Sequence, residues 1–437
     1  MSLVVKGLPI LPLYQAVSAS FAPLSPLVLY CRRKWRQEQF DRTGERFGWP
    51  SLARPEGPLA WLHGASVGES LSLLPLIEKL AARGFNILLS TGTTSAAAVI
   101  APRLPAGSLH QFLPLDVPQF LARFLDHWRP DLALMAESEI WPNLFLEIRR
   151  REIPLVLVNA RVSQGSFRRW RWIPYFIESL LECVDLCLAQ SEADAERFAK
   201  LGIRHVNVVG NLKYDVMPPP ADRKALASLA ARIGARPVWV AASTHRGEEE
   251  IAMAVHRALA HQFADLLTII VPRRARRGDE IAALAGAQGL AALQRSREAP
   301  DGPLPDVYIG DTMGELGLLY RLASIAFLGR SLVRPGGGQN PIEAAKLGGA
   351  VLHGPYVESF AEVYRALDEA RGAARVADAD TLARVVALLL NDAGKLRKMA
   401  RAGGETVKRL GGASAAIMAA IEPHIVQLMV EKRRWEA

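Results

Sequence analysis

Acidic side chains stand beside small residues at two places in the sequence, and the first is Gly64-Ala65-Ser66-Val67-Gly68-Glu69. This segment follows an apolar run at 59–63 and precedes a helical pattern, so Glu69 would open the helix after a strand. A carboxylate there can act as a general base, or simply as a favourable charge at a helix N-terminus. Glu69 is therefore our candidate base.

The same segment fits G-x-S-x-G, the pattern of the nucleophile turn in serine hydrolases, with Ser66 as the nucleophile. Hydrolases of that fold have several strands before the nucleophile, whereas only the run at 59–63 precedes Ser66 here. No Asp followed by His stands out at later strand ends. A serine hydrolase is therefore the less favoured alternative.

The second acidic segment contains Glu137 and Glu139, which end an apolar run just before Pro142. A spacing of two residues puts both carboxylates on one side of an extended chain. They are either paired functional groups at a strand end or solvated loop acids.

Two further segments are suited to a phosphorylated ligand. Arg273, Arg274, Arg276 and Arg277 follow an apolar run at 266–271, and guanidinium groups bind phosphate oxygens in pairs; a solvated basic turn is the alternative. The Gly-rich stretch 335–345 follows the run 327–331 and leads into a helix whose first residue should be Pro341.

Backbone N–H groups of the Gly-rich stretch, together with the helix start, would form an anion cradle, and Glu343 would accept hydrogen bonds from ribose hydroxyls; a plain loop with a solvated Glu343 is the alternative. The stretch is neither G-x-G-x-x-G nor a P-loop, which disfavours a dinucleotide dehydrogenase or an ATPase.

The overall composition favours a two-domain protein with an anionic partner. The chain has 437 residues, half of them apolar, with a net charge of +9. Three Cys cannot build a disulfide framework, and nine scattered His show no metal-ligand spacing, so we expect no metal.

Two segments point to a membrane. Residues 7–31 carry no charge, and Arg32, Arg33, Lys34 and Arg36 follow at once, which predicts an anchor in segment 1–36 with the rest of the chain in the cytoplasm. A buried N-terminal hairpin is the alternative. The basic-aromatic run 167–172 suits a membrane interface or an anionic glycolipid better than nucleic acid.

Short apolar runs alternate with helical patterns after residue 58, which predicts doubly wound parallel sheets. The predicted strands are 59–63, 87–90, 109–113, 132–136, 155–159, 186–190 and 206–209, and then 238–241, 267–271, 307–309, 325–328, 351–352 and 375–376. Met217-Pro218-Pro219-Pro220 interrupts the alternation, which then restarts. We predict two Rossmann-like α/β domains facing a cleft, at 37–215 and 237–412, joined by a linker at 216–236 and followed by a C-terminal helix at 413–437. Ligands would bind beyond the carboxyl ends of the strands.

Six segments, in order along nearly the whole chain, resemble the 3-deoxy-D-manno-octulosonic acid (Kdo) transferases, inner-membrane enzymes of lipopolysaccharide synthesis with a GT-B fold. These segments are 63–69, 137–143, 159–161, 210–215, 311–316 and 337–343.

The resemblance implies transfer of Kdo from CMP-Kdo to the lipid A precursor lipid IVA, with inversion, on the cytoplasmic side of the inner membrane, without a cofactor, a metal or nucleic acid. It implies Glu69 as the proton acceptor, with Glu139 and Lys213 stabilising the transition state. It implies a CMP site made of Pro272, Arg273, Met313, Gly314, Glu315, Asn340, Pro341, Ile342 and Glu343.

Gln339 stands where members of that family often have His, so Arg330 and the arginine run would supply the cationic side chains. Another GT-B enzyme acting on nucleotide sugars, such as an epimerase, is the alternative within the same fold; it would need neither the apolar N-terminus nor the basic-aromatic run.

Overall fold

The computed structural model describes residues 10–34, 41–297 and 302–435. The chain divides into two compact units: Met1–Val216 together with Gly411–Ala437, and Met217–Leu410. Residues 1–9, 35 and 36 of the predicted anchor lie outside the described residues.

The first unit is built on a seven-stranded parallel sheet with the order β3-β2-β1-β4-β5-β6-β7. Its strands are Leu59–Gly64 (β1), Asn86–Thr91 (β2), Leu109–Phe112 (β3), Leu132–Ala136 (β4), Leu155–Ala160 (β5), Leu186–Ala189 (β6) and Val206–Val208 (β7). Each differs from its predicted run by no more than one residue at either end.

Both faces of this sheet are buried, which explains the near-continuous apolar strands. Along β4, Ala133 and Met135 join the hydrophobic core on one face, while Leu132, Leu134 and Ala136 join the core on the other. The covering helices begin where a side chain satisfies free backbone N–H groups: Ser66, Thr93, Ser163 and Ser191 each accept such a hydrogen bond.

The helices of this unit run in chain order up to residue 200. They are Ile10–Ser20 (α1), Ser25–Lys34 (α2), Val67–Ala82 (α3), Thr94–Ile100 (α4), Pro118–Trp128 (α5), Pro142–Arg150 (α6), Gln164–Trp170 (α7), Pro174–Leu181 (α8) and Glu192–Lys200 (α9), with short 3-10 helices at Ala22–Leu24, Thr43–Phe47, Ala101–Arg103 and Leu212–Tyr214.

The N-terminal helices α1 and α2 are joined by the 3-10 helix Ala22–Leu24 and form an N-terminal helical segment, of which residues 10–31 are mostly exposed, contrary to the buried hairpin considered above. Leu13, Phe21, Leu27 and Tyr30 are all more than half exposed. Polar contacts attach α1 to the unit: the Tyr14 hydroxyl donates to Asp116 Oδ2 at 2.9 Å, and Ser18 Oγ accepts from Asn143 Nδ2 at 2.9 Å.

The second unit contains another seven-stranded parallel sheet, with the order β10-β11-β9-β8-β12-β13-β14. Its strands are Val238–Thr244 (β8), Leu267–Pro272 (β9), Ala292–Gln294 (β10), Val307–Ile309 (β11), Ile325–Leu328 (β12), Ala350–His353 (β13) and Ala373–Arg375 (β14). Our sequence analysis missed β10, a three-residue edge strand, and placed β14 two residues late.

Helices of the second unit cover this sheet. They are Arg223–Ile233 (α10), Glu248–Ala260 (α11), Gly278–Ala287 (α12), Leu316–Leu322 (α13), Ile342–Lys346 (α14), Ala361–Glu369 (α15), Ala379–Asn391 (α16) and Ala393–Leu410 (α17), with 3-10 helices at Ala275–Arg277, Arg295–Arg297 and Glu358–Phe360. Helix α10 occupies half of the stretch predicted to be a linker.

The last helix, Ala413–Trp435 (α18), returns to the first unit. The Asp215 carboxylate accepts backbone hydrogen bonds from Gly412 and Ser414 at 2.6 Å each, and Ile417 and Ile421 are fully buried in the core beside α3. Among the described residues, Ala393–Val430 is the one helical stretch long and apolar enough to cross a membrane by length and composition. A buried core helix passes the same test.

Two doubly wound α/β units are thus confirmed. Strand order reverses between β1 and β4 in the first unit and between β8 and β12 in the second. At such a reversal the connections leave in opposite directions and open a crevice beyond the carboxyl ends of the strands, where ligands bind in this class of fold. The predicted site residues Glu69 and Glu139 follow β1 and β4, and the Gly-rich stretch follows β12.

Candidate active site

The turn after β1 holds Glu69 through a set of local hydrogen bonds. Ser66 Oγ donates to Glu69 Oε1 at 2.6 Å, and the backbone N–H of Ala65 donates to Glu69 Oε2 at 2.9 Å. A side chain on Gly64 would bring its Cβ within 2.9 Å of the Ser70 backbone nitrogen, so glycine allows β1 to turn directly into α3.

These contacts also account for the G-x-S-x-G pattern. Ser66 begins α3, and its side chain accepts the backbone N–H of Glu69, which is the usual work of a serine at a helix start. Ser66 Oγ hydrogen-bonds to a carboxylate and not to a histidine, so the arrangement needed for a serine nucleophile is not present here.

The environment of Glu69 favours its protonated form. Burial raises the pKa of the Glu69 carboxyl, the hydrogen bond from Ser66 lowers it, and the neighbouring carboxylates of Glu139 and Glu137 raise it again, with a net upward shift. A carboxylate with a raised pKa at a strand end is suited to accept a proton.

Glu137 ends β4 in a left-handed backbone conformation, with φ of 56°. A non-glycine residue in that region is strained, and such strain concentrates at functional sites. Its carboxylate Oε1 lies 2.9 Å from Lys213 Nζ, and both side chains are about three-quarters buried. The sequence analysis chose Glu139 and Lys213 for the site, whereas the structure pairs Lys213 with Glu137.

Lys213 is positioned by hydrogen bonds that connect its neighbours Asn211 and Leu212 to Asn159, near the end of β5, and to Gln190. Asn159, fully buried with φ of 51°, accepts the backbone N–H of Leu212 at 3.0 Å through Oδ1, and its backbone carbonyl accepts from the side chain of Gln190. The side chain of Asn211 then donates to Gln190 at 3.1 Å. The segment 159–161 therefore positions the lysine.

Glu139 is held by two ring nitrogens. Trp141 Nε1 donates to Glu139 Oε2 at 2.8 Å, and His63 Nε2 lies 3.7 Å from the same oxygen. Burial would raise the pKa of the Glu139 carboxyl, but the interactions with His63 and Trp141 outweigh it, so the net shift is downward. Glu69 and Glu139 thus have pKa values shifted in opposite directions.

In the second unit a buried carboxylate organises the loop after β12. Glu248, which is fully buried, accepts backbone N–H groups from Arg330, Ser331 and Leu332 at 2.6 to 3.0 Å, and from His245 at 2.9 Å. Three N–H groups near the predicted anion cradle are therefore already occupied. Sequence analysis missed Glu248, which lies in a run of three glutamates.

The arginine run after β9 separates into two kinds of residue. Arg277 donates to the buried Glu249 at 2.6 Å and also binds Glu280, so it is structural. Arg273 follows Pro272, the last residue of β9, and is exposed. The pKa of His245 is lowered by burial and by the guanidinium groups of Arg330 and Arg273, so both cations lie near His245.

The remaining residues of the predicted CMP site lie on two loops. Met313 is 76% exposed, Gly314 has φ of 86°, and Glu315 is paired with Arg295 at 2.8 Å, an interaction that lowers the pKa of its carboxyl.

On the other loop Asn340 Oδ1 accepts the backbone N–H of Ile342 at 3.0 Å, and Asn340 Nδ2 lies 3.3 Å from Glu343 Oε1. Helix α14 begins at Ile342, one residue after the predicted Pro341.

Within the described residues, no three His, Cys, Asp or Glu side chains come together as metal ligands.

Comparison with known proteins identifies the family. Residues 41–216 match the family described as 3-deoxy-D-manno-octulosonic-acid transferase (kdotransferase). A probable mitochondrial 3-deoxy-D-manno-octulosonic acid transferase of Arabidopsis thaliana is 36% identical over 91% of this chain and 92% of its own length. The chain belongs to the Kdo transferase family. The resemblance found in the sequence is thereby confirmed.

Other similarities agree with this Kdo transferase assignment. The 3-deoxy-D-manno-octulosonic acid transferase of Haemophilus influenzae is 33% identical over 90% of this chain and 92% of its own length. The crystal structure of a glycosyltransferase from Rickettsia africae covers 86% of this chain and 99% of its own, with a TM-score of 0.56 and 11% identity. At that identity the likeness concerns the fold, which is the GT-B glycosyltransferase fold.

The opposing influences on Glu69 give a testable sign. In this Kdo transferase the Glu69 carboxyl should titrate above the value of about 4.3 usual for glutamate. Glu139→Gln removes a negative neighbour and should lower that pKa, whereas Ser66→Ala removes a stabilising donor and should raise it. Carboxyl carbon NMR of glutamate-labelled protein, with the signal assigned by Glu69→Gln, measures both shifts.

The exposed Glu196→Gln is the matched control and should leave the Glu69 signal unchanged. Titration of Glu69 like an exposed glutamate in the unaltered protein would contradict this description of the site.

Proposed function

We propose that this protein transfers Kdo from CMP-Kdo to the lipid A precursor lipid IVA, with inversion at the anomeric carbon and with Glu69 as the general base. Kdo transfer itself follows from membership of the family. The observation that carries the rest is the cluster at the reversal between β1 and β4, where Glu69 has a raised pKa beside Glu139 and the Glu137–Lys213 pair.

In the proposed step Glu69 takes the proton of an acceptor hydroxyl, and the freed oxygen attacks the anomeric carbon of Kdo. The bond from that carbon to the CMP phosphate breaks, and CMP leaves with the bonding electrons. A single attack on the face opposite the leaving group inverts the anomeric centre. One base suffices for this reaction, and Glu69, with its raised pKa, is the carboxylate that we assign to that role.

Glu139 and Lys213 would act on charge that develops during the step. Positive charge accumulates at the anomeric carbon as the leaving group departs, and an ionised carboxylate stabilises it. The lowered pKa of Glu139 supports that ionised state. Lys213, held at 2.9 Å by Glu137, offers a fixed cation to oxygen atoms of the substrates.

The second unit would bind the donor. Arg273 and Arg330, both exposed beside His245, would bind the phosphate together with the chain at Pro272. Glu343, beside Asn340, Pro341 and Ile342, would accept hydrogen bonds from the ribose hydroxyls. Because Arg295 occupies the Glu315 carboxylate, the loop at Met313, Gly314 and Glu315 would offer backbone groups to the cytosine.

Because the proposed acceptor is a lipid, we propose that the N-terminal helical segment docks on the cytoplasmic leaflet of the inner membrane. Its exposed apolar side chains continue towards the connection between α7 and α8, since the Tyr14 ring contacts the Phe176 ring at 6.2 Å. Trp172 there is 86% exposed and Tyr175 60%. Exposed arginines at 168, 169 and 171 add the positive charge that anionic lipids attract.

Glu69→Gln tests the base. The variant keeps the size and most hydrogen bonding of the side chain but removes basicity, so turnover should fall about 10²–10⁴-fold while CMP affinity stays nearly unchanged. Transfer from CMP-Kdo to a tetraacylated lipid A precursor, followed by mass spectrometry, gives the rate.

Ser66→Ala is the comparison for that experiment, because it removes only the hydroxyl group that caps the start of α3 and orients Glu69. We expect it to retain most turnover. Near-normal turnover of Glu69→Gln would refute the assignment of the base, and loss of all activity in folded Ser66→Ala alone would revive the hydrolase interpretation.

The donor site is tested by Arg273→Ala and Glu343→Ala. Each should weaken CMP binding about 10- to 150-fold, because each removes a charge-assisted hydrogen bond worth on the order of 1.5–3 kcal/mol. Calorimetry measures the affinity, and Arg276→Ala, an exposed arginine of the same run, should bind CMP normally. Unchanged affinity in both test variants would rule out this nucleotide position.

Membrane docking is tested by the pair Leu13→Glu and Leu27→Glu, made together in the full chain. Both leucines are about 60% exposed on the N-terminal helical segment, so the charges should move the protein from the membrane to the soluble fraction while CMP binding persists. Leu388→Glu, at a 47% exposed leucine of the second unit, should leave the distribution unchanged. Retention of the double variant in the membrane would refute membrane docking by this segment.

A further inference from the structure

We propose that His63 is a positioning residue, whose Nε2–H group holds the Glu139 carboxylate in place. The inference deepens the proposed function, on which it rests only for the role of Glu139. Its evidence is the set of atoms that surround the two ring nitrogens.

His63 occupies the next-to-last position of β1, at the centre of the first sheet, and is fully buried. In the sheet register it lies between Ser90 of β2 and Met135 of β4. Because side chains alternate along a strand, it lies on the same face as Trp61 and opposite Leu62. A polar ring in this apolar setting needs hydrogen-bond partners for both nitrogens.

Nδ1 finds partners on Ser90 whether or not it carries a proton. It lies 3.1 Å from the backbone carbonyl of Ser90, which can only accept, and 2.9 Å from Ser90 Oγ, which can accept or donate. That hydroxyl receives the indole N–H of Trp61 at 2.8 Å, so its own proton can point to Nδ1 or to the carbonyl of Leu62 at 3.4 Å. Nδ1 is therefore satisfied in either state, and Nε2 can carry a proton.

Nε2 has no hydrogen-bond partner among the described residues, although it is buried. The charged atom beside it is Glu139 Oε2, at 3.7 Å. An unprotonated Nε2 would point its lone pair at this carboxylate, and two acceptors would face each other away from water. A proton on Nε2 converts that repulsion into an attraction.

The charge of the neighbourhood also favours a donor at Nε2. Glu69, Glu137 and Glu139 bring three carboxylates together, and Lys213 supplies one cation, already bound to Glu137. A proton on Nε2 adds a donor directed at Glu139. Trp141 and His63 both lie against Oε2, while Oε1 has no partner among the described residues and remains available to the substrate.

Nitrogen NMR of histidine-labelled full-length protein tests the Nε2–H group directly. The His63 signals, assigned by their loss in His63→Gln, should show a proton on Nε2 at pH 7. Glu139→Leu removes the carboxylate and should move that proton to Nδ1, beside the Ser90 carbonyl, while Trp141→Phe, which leaves the carboxylate, should keep it on Nε2. An unprotonated Nε2 in the unaltered protein, or an Nε2 proton that persists in Glu139→Leu, would overturn the proposal.

Kinetics provide the second arm. His63→Met fills the space without a donor, so kcat should fall about 10- to 150-fold, as expected for loss of a hydrogen bond to a charged group. His63→Gln keeps an N–H donor at a similar distance and should recover most of that loss, with KM for CMP-Kdo unchanged in both variants. Equal kcat in the two variants would refute the positioning role.

Failure of this inference is distinguishable from failure of the proposed function. The NMR result does not depend on turnover, and Glu69→Gln tests the base without altering His63.

Discussion

Carboxylates that converge in a partly buried place repel one another, and the first unit is arranged around the need to balance them. Glu69 and Glu139 come from segments about seventy residues apart, which meet because β1 and β4 are neighbours in the sheet. The balancing cation, Lys213, comes from beyond β7 and is held against Glu137 by way of Asn159. The strained backbone of Glu137 is understandable as part of the same balance, since it brings that carboxylate to the lysine.

The second unit meets a related requirement with the backbone alone. Among the described residues, no Lys or Arg side chain is hydrogen-bonded to Glu248, and four backbone N–H groups surround its carboxylate instead. These bonds join the end of β8 to the loop after β12, the two strands between which the strand order reverses. Gly329 completes the junction, because a Cβ there would lie 2.5 Å from the Ser243 carbonyl oxygen.

The sequence predicted the sheets well because a strand buried on both faces must be apolar throughout, and such runs are easy to recognise. Acidic residues at the ends of such runs interrupt the pattern, which made Glu69 and Glu139 candidates, whereas Lys213 was expected only from the family resemblance. His63 could not be found this way: it lies inside an apolar run, and its importance depends on which strand ends are its neighbours. Glu137 was visible as half of a pair, but its partner was set by the register of the sheet.

Boundaries followed a different logic. Helix α10 forms within the stretch interpreted as a linker, because the prolines at 218–220 end before it begins and Asp222 caps its start. The apolar segment at the N-terminus was recognisable by its lack of charge, but the contacts of α1 with Asp116 and Asn143 involve polar residues more than a hundred positions away. Patterns of composition carry no information about contacts at such a distance.

Those two contacts of α1 have a practical consequence for anyone who shortens the chain to make it easier to handle. Asp116 also accepts the backbone N–H groups of Asn143 and Leu144 at the start of α6, and the loop just before α6 carries Glu139 and Trp141. Deleting the N-terminal helical segment would remove the contacts of Tyr14 with Asp116 and of Ser18 with Asn143, as well as apolar surface. A shortened enzyme with low activity would therefore report damage to the loop that holds Glu139, not only the loss of its membrane.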